Sequence, residues 1–226
     1  MKGAVIYEEY MKYKGVIFDL DGTILSTLDD LADSLNFALK KNKLPERRIE
    51  EVRAFVGNGI RRLIERGVPE NSPVEVVDRV HKDFTEHYKI HCADKTKAYD
   101  GVLDMLERLK KQGIKLSVLS NKADYAVVDL CKKYFDGLFD AVAGEKTGIP
   151  KKPAPDGVYA IAGQMGVDIK DCVYIGDSEV DIVTANNSGL PCISVDWGFR
   201  DRQVLVDAGA KIIVSTTNDL FNEIVK

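Results

Sequence analysis

No apolar run in this 226-residue chain approaches the length needed to cross a bilayer, and the amino-terminal segment lacks a secretory-signal pattern. A membrane partner is therefore not expected. Tryptophan occurs once, histidine three times and cysteine four times. Cys92, Cys131, Cys172 and Cys192 lie too far apart to form a metal-type pair or a disulfide framework. Cys172 and Cys192 open apolar runs, as buried thiols do, which points to a reducing, cytoplasmic setting. Charge of one sign is also scarce: 32 basic residues face 36 acidic ones, a net charge of -4 with no basic stripe. That balance leaves no electrostatic footprint for nucleic acid.

What the chain does have is a repeated junction of apolar run and polar tip. Gly15–Phe18 ends on Asp19, Asp21 and Gly22. Carboxylates two apart on an extended chain point to opposite faces, so both serve one site only if the strand stops and turns, which Gly22 permits. Lys115–Leu119 ends on Ser120, Asn121 and Lys122; Cys172–Ile175 ends on Gly176 and Asp177, with Asp181 one helical turn further. Lys152 sits between them in Lys151-Lys152-Pro153, ahead of a helical stretch. Further strands are expected at Phe139–Ala143, Cys192–Val195 and Ile212–Val214. Amphipathic segments alternate with these strands, such as the one through Val102, Met105, Leu106 and Leu109 that Gly113 stops.

This alternation predicts an α/β fold, a doubly wound parallel sheet with a Rossmann-like core. In such sheets the carboxyl ends of the strands line one crevice, where ligands bind. Three polar strand tips in register, with Lys152 beside them, can hold a divalent metal, supply a carboxylate nucleophile and neutralise a phosphoryl group.

The alternation breaks between residues 28 and 98, which read as helices at Leu28–Lys41, Ile49–Val56, Ile60–Arg66 and Pro73–Ile90. We therefore expect a catalytic core of residues 1–27 and 99–226 with a helical cap domain, 28–98, inserted after the first strand as a lid. Within it, Gly57-Asn58-Gly59 opens the helix bearing Arg61 and Arg62. Exposed amides and arginines make a candidate anion clamp, and a helix–helix turn with solvated arginines explains them equally well. His81, His87 and His91 are read as ordinary helix positions rather than zinc ligands. Trp197 and Phe199 fit either the crevice rim or loop packing. Met11 is a natural start ahead of the first strand, and residues 1–10 are left outside the fold.

The chain resembles the haloacid dehalogenase-like hydrolase superfamily from about Met11 to its end. Asp19-Leu20-Asp21-Gly22-Thr23, the Ser120 tip, Lys152-Pro153 and Gly176-Asp177 with Asp181 match the four motifs of that superfamily in order and approximate spacing. The insertion resembles its helical cap subclass. Thr27–Leu31, Val56–Gly59, Ser120–Lys122, Gly176–Asp181 and Trp197–Arg200 resemble phosphoglycolate phosphatases. Ser26 and Ala98-Tyr99-Asp100-Gly101 depart from the pattern and weaken any claim to one substrate.

The resemblance implies a phosphatase acting on a small phosphate ester through an aspartyl-phosphate, with 2-phosphoglycolate favoured. Asp19 would be the nucleophile, Asp21 the general acid and base, Ser120 and Lys152 the phosphoryl partners. Mg²⁺ would be held by Asp19, the backbone carbonyl of Asp21 and Asp177, with Asp181 completing the metal set by holding a metal-bound water or Lys152. Thr23 would orient Asp21, and the Gly22 and Asn121 amides would reach phosphate. An inorganic pyrophosphatase, a sugar phosphomutase and, outside enzymes, a phospho-aspartate receiver domain are the competing readings. The protein is expected to be a monomer or homodimer.

Overall fold

A computed structural model describes residues 12–226, so the reading of residues 1–10 lies outside the described residues. In chain order, β1 (Gly15–Phe18) and β2 (Leu25–Ser26) precede helices α1 (Leu28–Lys41), α2 (Ile49–Phe55), α3 (Ile60–Gly67) and α4 (Val74–His91). There follow β3 (Lys97–Ala98), α5 (Val102–Lys111), β4 (Lys115–Ala123), α6 (Asp124–Phe135) and β5 (Ala141–Glu145). The chain closes with α7 (Asp156–Met165), β6 (Cys172–Gly176), α8 (Glu179–Ser188), β7 (Cys192–Val195), α9 (Arg202–Asp207), β8 (Ile212–Val214) and α10 (Thr217–Val225).

Six strands form one parallel sheet in the order β5-β4-β1-β6-β7-β8. Parallel strands buried on both faces read as unbroken apolar runs, and every residue of β1 is buried. Successive side chains serve opposite layers. Val16 and Phe18 pack with α5, α6 and α10, whereas Ile17 packs with Leu119, Tyr174 and residues of α7 and α8. The chain leaves β1 toward β4 and β5, then returns to β6 on the other side of β1. Phe18 is level with Val118 of β4 and Ile175 of β6, so the three polar tips emerge side by side at this switch point.

Helices α1 to α4 enclose an apolar core of their own, built on Leu35, Leu39, Val52, Leu63, Ile64, Val80, Phe84 and Tyr88. The two segments joining them to the sheet pair as an antiparallel ribbon, Leu25 with Ala98 and Ser26 with Lys97. Asp30, at the start of α1, fastens the returning chain. Its buried carboxylate accepts from the Lys95 amide at 2.9 Å, the Thr96 amide at 2.8 Å and the Thr96 hydroxyl at 2.7 Å.

Three local readings change. β4 runs beyond Leu119 to Ala123 with a register break, which makes Ser120-Asn121-Lys122 part of an irregular strand rather than a loop. β5 starts at Ala141, because Phe139 is drawn to the core, where its ring meets Phe18 edge-on at 6.4 Å and Phe135 at 5.7 Å. The β2–β3 ribbon was not anticipated, since two-residue strands carry no periodicity to read.

Candidate active site

The turn after β1 is set by its glycine. Gly22 has a φ of +84°, and a Cβ there would collide with the Asp177 carboxylate. Gly176 and Gly198 are constrained similarly: added side chains would strike Asp181 and Asp177, respectively. Backbone and carboxylates are therefore pressed together from three segments, a close approach that only glycine allows.

Asp19, Asp177 and Asp181 are all buried, and each offers a carboxylate oxygen within 4.8 Å of the others. Lys152 lies among them. Its ammonium sits 2.9 Å from Asp19 Oδ1 and 2.8 Å from Asp181 Oδ1, with its side chain only 3 % exposed. Asp177 Oδ2 accepts the Phe199 amide at 2.6 Å. Asp181 Oδ2 accepts the Ser178 hydroxyl at 2.6 Å and amide at 3.2 Å, in a capping box that starts α8. Ser120 Oγ accepts the Lys122 amide at 3.3 Å, which leaves the hydroxyl proton free to point into the cavity that Ser120 lines.

The crowding shows in protonation. Burial, reinforced by Asp181 and Asp21 and opposed by Lys152, pushes Asp19 from 3.8 up to about 7. Burial, then repulsion from Asp181 and Asp19, raises Asp177 well above the usual carboxylate range. Burial alone would strip Lys152 of its proton, yet Asp181 and Asp19 hold it firmly cationic.

Asp21 turns away from this cluster. Its carboxylate accepts the Thr27 hydroxyl at 2.8 Å and meets the Lys122 ammonium at 2.9 and 3.1 Å. Thr23 does not orient it: the Thr23 hydroxyl approaches Asp177 Oδ1 at 3.4 Å instead. The Asn121 side-chain amide donates to the carbonyls of Lys152 at 3.0 Å and Gly57 at 3.3 Å, while its buried Oδ1 has no hydrogen-bond partner among the described residues.

Above these groups lies a cavity whose walls include Asp19, Asp21, Ser120, Lys122 and Asp177 on the sheet side. Leu31, Val56, Gly57, Gly59, Ile60, Leu63 and Tyr88 line it from the helical side. Asn58, Arg61 and Arg62 do not line it. Arg61 binds Glu65 at 3.0 Å and Asp78 at 2.5 Å, and Arg62 binds Glu65 at 2.7 Å, all on the outer face. The cationic side chains that do reach the cavity are Lys122 and Arg200. Arg200 is spent on structure: it binds Glu179 at 2.8 Å and donates to the Arg53 and Val56 carbonyls at 2.9 Å, capping the end of α2.

Sequence reasoning missed the roles of Thr27, Lys122, Tyr88 and Arg200. Lys122 had a readable sign, since it stands two residues from Ser120 on an extended segment. Tyr88 had none, because it belongs to the apolar stripe of α4.

The family model for haloacid dehalogenase-like hydrolases matches residues 16–195. The chain belongs to the haloacid dehalogenase-like hydrolase family. It is 35 % identical over 195 residues to a phosphoglycolate phosphatase of Mesorhizobium japonicum, covering 84 % of this chain and 85 % of that one. It is 32 % identical over 209 residues to a phosphoglycolate phosphatase of Caulobacter vibrioides, covering 91 % and 88 %. A crystal structure from Lactobacillus delbrueckii subsp. bulgaricus, described provisionally as a phosphoglycolate phosphatase, superposes with a TM-score of 0.91. It is 39 % identical and covers 95 % of this chain and 99 % of that one.

The acidic cluster of this hydrolase fits a divalent cation. Three buried carboxylates within 4.8 Å of one another, two of them with raised pKa, form an all-oxygen donor set whose mutual repulsion a hard cation relieves. Histidine and cysteine, which would favour zinc, are absent from it. Among the described residues, no helix is long and apolar enough to cross a membrane.

Proposed function

We propose that this hydrolase is a Mg²⁺-dependent phosphatase for small phosphorylated metabolites, with 2-phosphoglycolate the favoured substrate. The observation that carries the reading is Lys152, which joins Asp19 at 2.9 Å to Asp181 at 2.8 Å beneath the cavity. A carboxylate at a strand tip, backed by a buried cation that offsets phosphoryl charge, has the setting of a nucleophile. The names carried by the relatives at 32–35 % identity support phosphoglycolate.

In the first half-reaction an Asp19 oxygen attacks phosphorus in line, the bond to the leaving oxygen breaks, and Asp21 delivers a proton to that oxygen. In the second, Asp21 takes a proton from water, the water oxygen attacks phosphorus, and inorganic phosphate leaves as Asp19 is regenerated. Thr27 and Lys122 hold Asp21 in line for both transfers. The Ser120 hydroxyl donates to a phosphoryl oxygen, with the Gly22 and Asn121 amides beside it, and Thr23 and the Phe199 amide steady Asp177. Asp19, Asp177, Asp181 and the Asp21 carbonyl are the groups that would hold Mg²⁺. Once bound, the ion neutralises charge gathering on the phosphoryl oxygens. We assign residues 28–98 as a lid that excludes water from this chemistry.

Membership in a hydrolase family sets the receiver-domain reading aside. A pyrophosphatase or a mutase would use the same floor, and the product separates them. Phosphate release measured over a panel of metabolites, with Mg²⁺ and with chelator, tests the proposal. Turnover of 2-phosphoglycolate that chelator abolishes is the expected result. Full activity in chelator, or isomerised product without free phosphate, overturns it.

A further inference from the structure

Tyr88 carries a hydroxyl that the fold uses incompletely. The residue is fully buried in α4, and its ring stacks on Phe84 with centroids 5.3 Å apart at 19°. A phenylalanine would satisfy that packing equally well. Among the described residues the polar partner of the hydroxyl is the Lys122 ammonium, and that contact falls short of a well-formed hydrogen bond, in a residue that lines the cavity. Burying a hydroxyl so poorly paired is costly, and a protein that retains one at a cavity wall has a use for it.

The ammonium of Lys122 lies beside it, 4.8 Å from the centre of the Tyr88 ring, with its side chain only 2 % exposed. Lysine has three protons to donate; the two Asp21 oxygens, at 2.9 and 3.1 Å, take two, and the third is shared between the Tyr88 hydroxyl and any ligand in the cavity. Arg200 offers nothing comparable, since Glu179 and the carbonyls of Arg53 and Val56 occupy its donors. On the helical side the remaining side chains are apolar and close in tightly: Leu31, Val56, Ile60 and Leu63. One hydroxyl and one ammonium therefore converge on the small space beyond the phosphoryl position, and two convergent donors match the two oxygens of a carboxylate.

We infer that the Tyr88 hydroxyl and the Lys122 ammonium form the subsite for a carboxylate on the leaving group. The class of substrate is a phosphate ester of a small hydroxy acid, short enough to place its carboxylate within the span of this cavity. The inference rests on the phosphatase reading above and adds to it the residue that selects. Burial keeps the Tyr88 phenol above its ordinary range, so it remains a donor at any working pH.

The test compares 2-phosphoglycolate with ethyl phosphate, which has the same number of carbons and no carboxylate, in wild-type protein and Tyr88→Phe. Wild-type kcat/KM is expected to favour 2-phosphoglycolate by at least about tenfold, the effect of one charge-assisted hydrogen bond. Tyr88→Phe, which keeps the ring and its packing, is expected to lower kcat/KM on 2-phosphoglycolate far more than on ethyl phosphate and so to remove most of that preference. Calorimetric titration of both compounds into Asp19→Asn protein with Mg²⁺ reads the same preference without chemistry. No preference in the wild type overturns the subsite, whatever the variant does. Equal losses on both substrates, or none on either, also overturn it and return the hydroxyl to a water partner. Should the wild type hydrolyse neither compound, the phosphatase reading fails, and the titration decides the subsite by itself.

Discussion

The two walls of the cavity are built on opposite principles. On the sheet side every charged group has a polar partner: Lys152 serves Asp19 and Asp181, Lys122 serves Asp21, and the Phe199 amide serves Asp177. On the helical side the charges face outward, with Arg61 and Arg62 turned to Glu65 and Asp78 while leucine, valine and isoleucine line the interior. The sheet fixes its polar groups through strand ends and glycine turns, so their geometry comes from backbone. The helical wall fixes its groups through side-chain packing, where exchanging one residue changes shape without disturbing the floor. Chemistry and selection are thus assigned to parts of the chain that tolerate change differently.

The sharpest way to break this contrast is to remove the floor's central charge. Asp19→Asn keeps shape and loses the attacking oxyanion. Turnover should fall by several orders of magnitude, as when other covalent enzymes lose their nucleophile. Near-normal kcat in that variant would sink the division of labour at its root.

Asp177→Ala is expected to raise the Mg²⁺ needed for half-maximal activity by about tenfold or more, on the scale of lost ligand support in metal sites. A linked effect follows from protonation. Asp19 and Asp177 bind protons more tightly in the cation-free folded state than in the unfolded chain. Their contribution to stability is therefore complete below the unfolded pKa of about 4 and lost as pH rises through about 7 for Asp19. Because Mg²⁺ binds the deprotonated carboxylates, the gain in Tm on adding it should grow between pH 4 and 7. A gain that is flat across that window would break the coupling of cluster and cation.

One residue bridges the two walls. Phe199 inserts its ring into the apolar core of α1 to α4, while its own amide holds Asp177 at 2.6 Å. Phe199→Ala should cost about 3–5 kcal/mol of stability, as large-to-small core changes do. It should also weaken Mg²⁺ binding, because the loop that presents the amide loses its anchor. Denaturant melts paired with a Mg²⁺ titration check both. A stability loss with unchanged Mg²⁺ affinity would show that the walls are packed together without being coupled.

The same contrast explains what the sequence revealed. Asp19 and Asp177 stood out in the sequence because each follows an apolar run that ends a strand, and Lys152 because it precedes a proline and a helix. The parallel α/β sheet followed from the alternation of strand and helix, whereas its strand order came only from the structure. Lys122 and Tyr88 were obscure because their importance depends on what packs opposite them, which periodicity does not encode. Phe139 misled because an aromatic that suits a strand also suits an edge-on contact with Phe18, and the core claimed it. Arg61 and Arg62 were ambiguous because the glycine turn before them suits an anion, while helix α3 carries Glu65 within one turn to take both guanidinium groups.

Those arginines give the smallest and most discriminating expectation. Their ion pairs are solvent-facing, and such pairs contribute little once salt and side-chain entropy are counted. Arg61→Ala and Arg62→Ala should each leave kcat/KM on 2-phosphoglycolate within about twofold of wild type, given how weakly exposed pairs act. Ethyl phosphate should show the same small change. A loss of tenfold or more confined to 2-phosphoglycolate would mean that α3 rotates inward when substrate binds. The helical wall would then select by recruiting an outer charge rather than by presenting Tyr88.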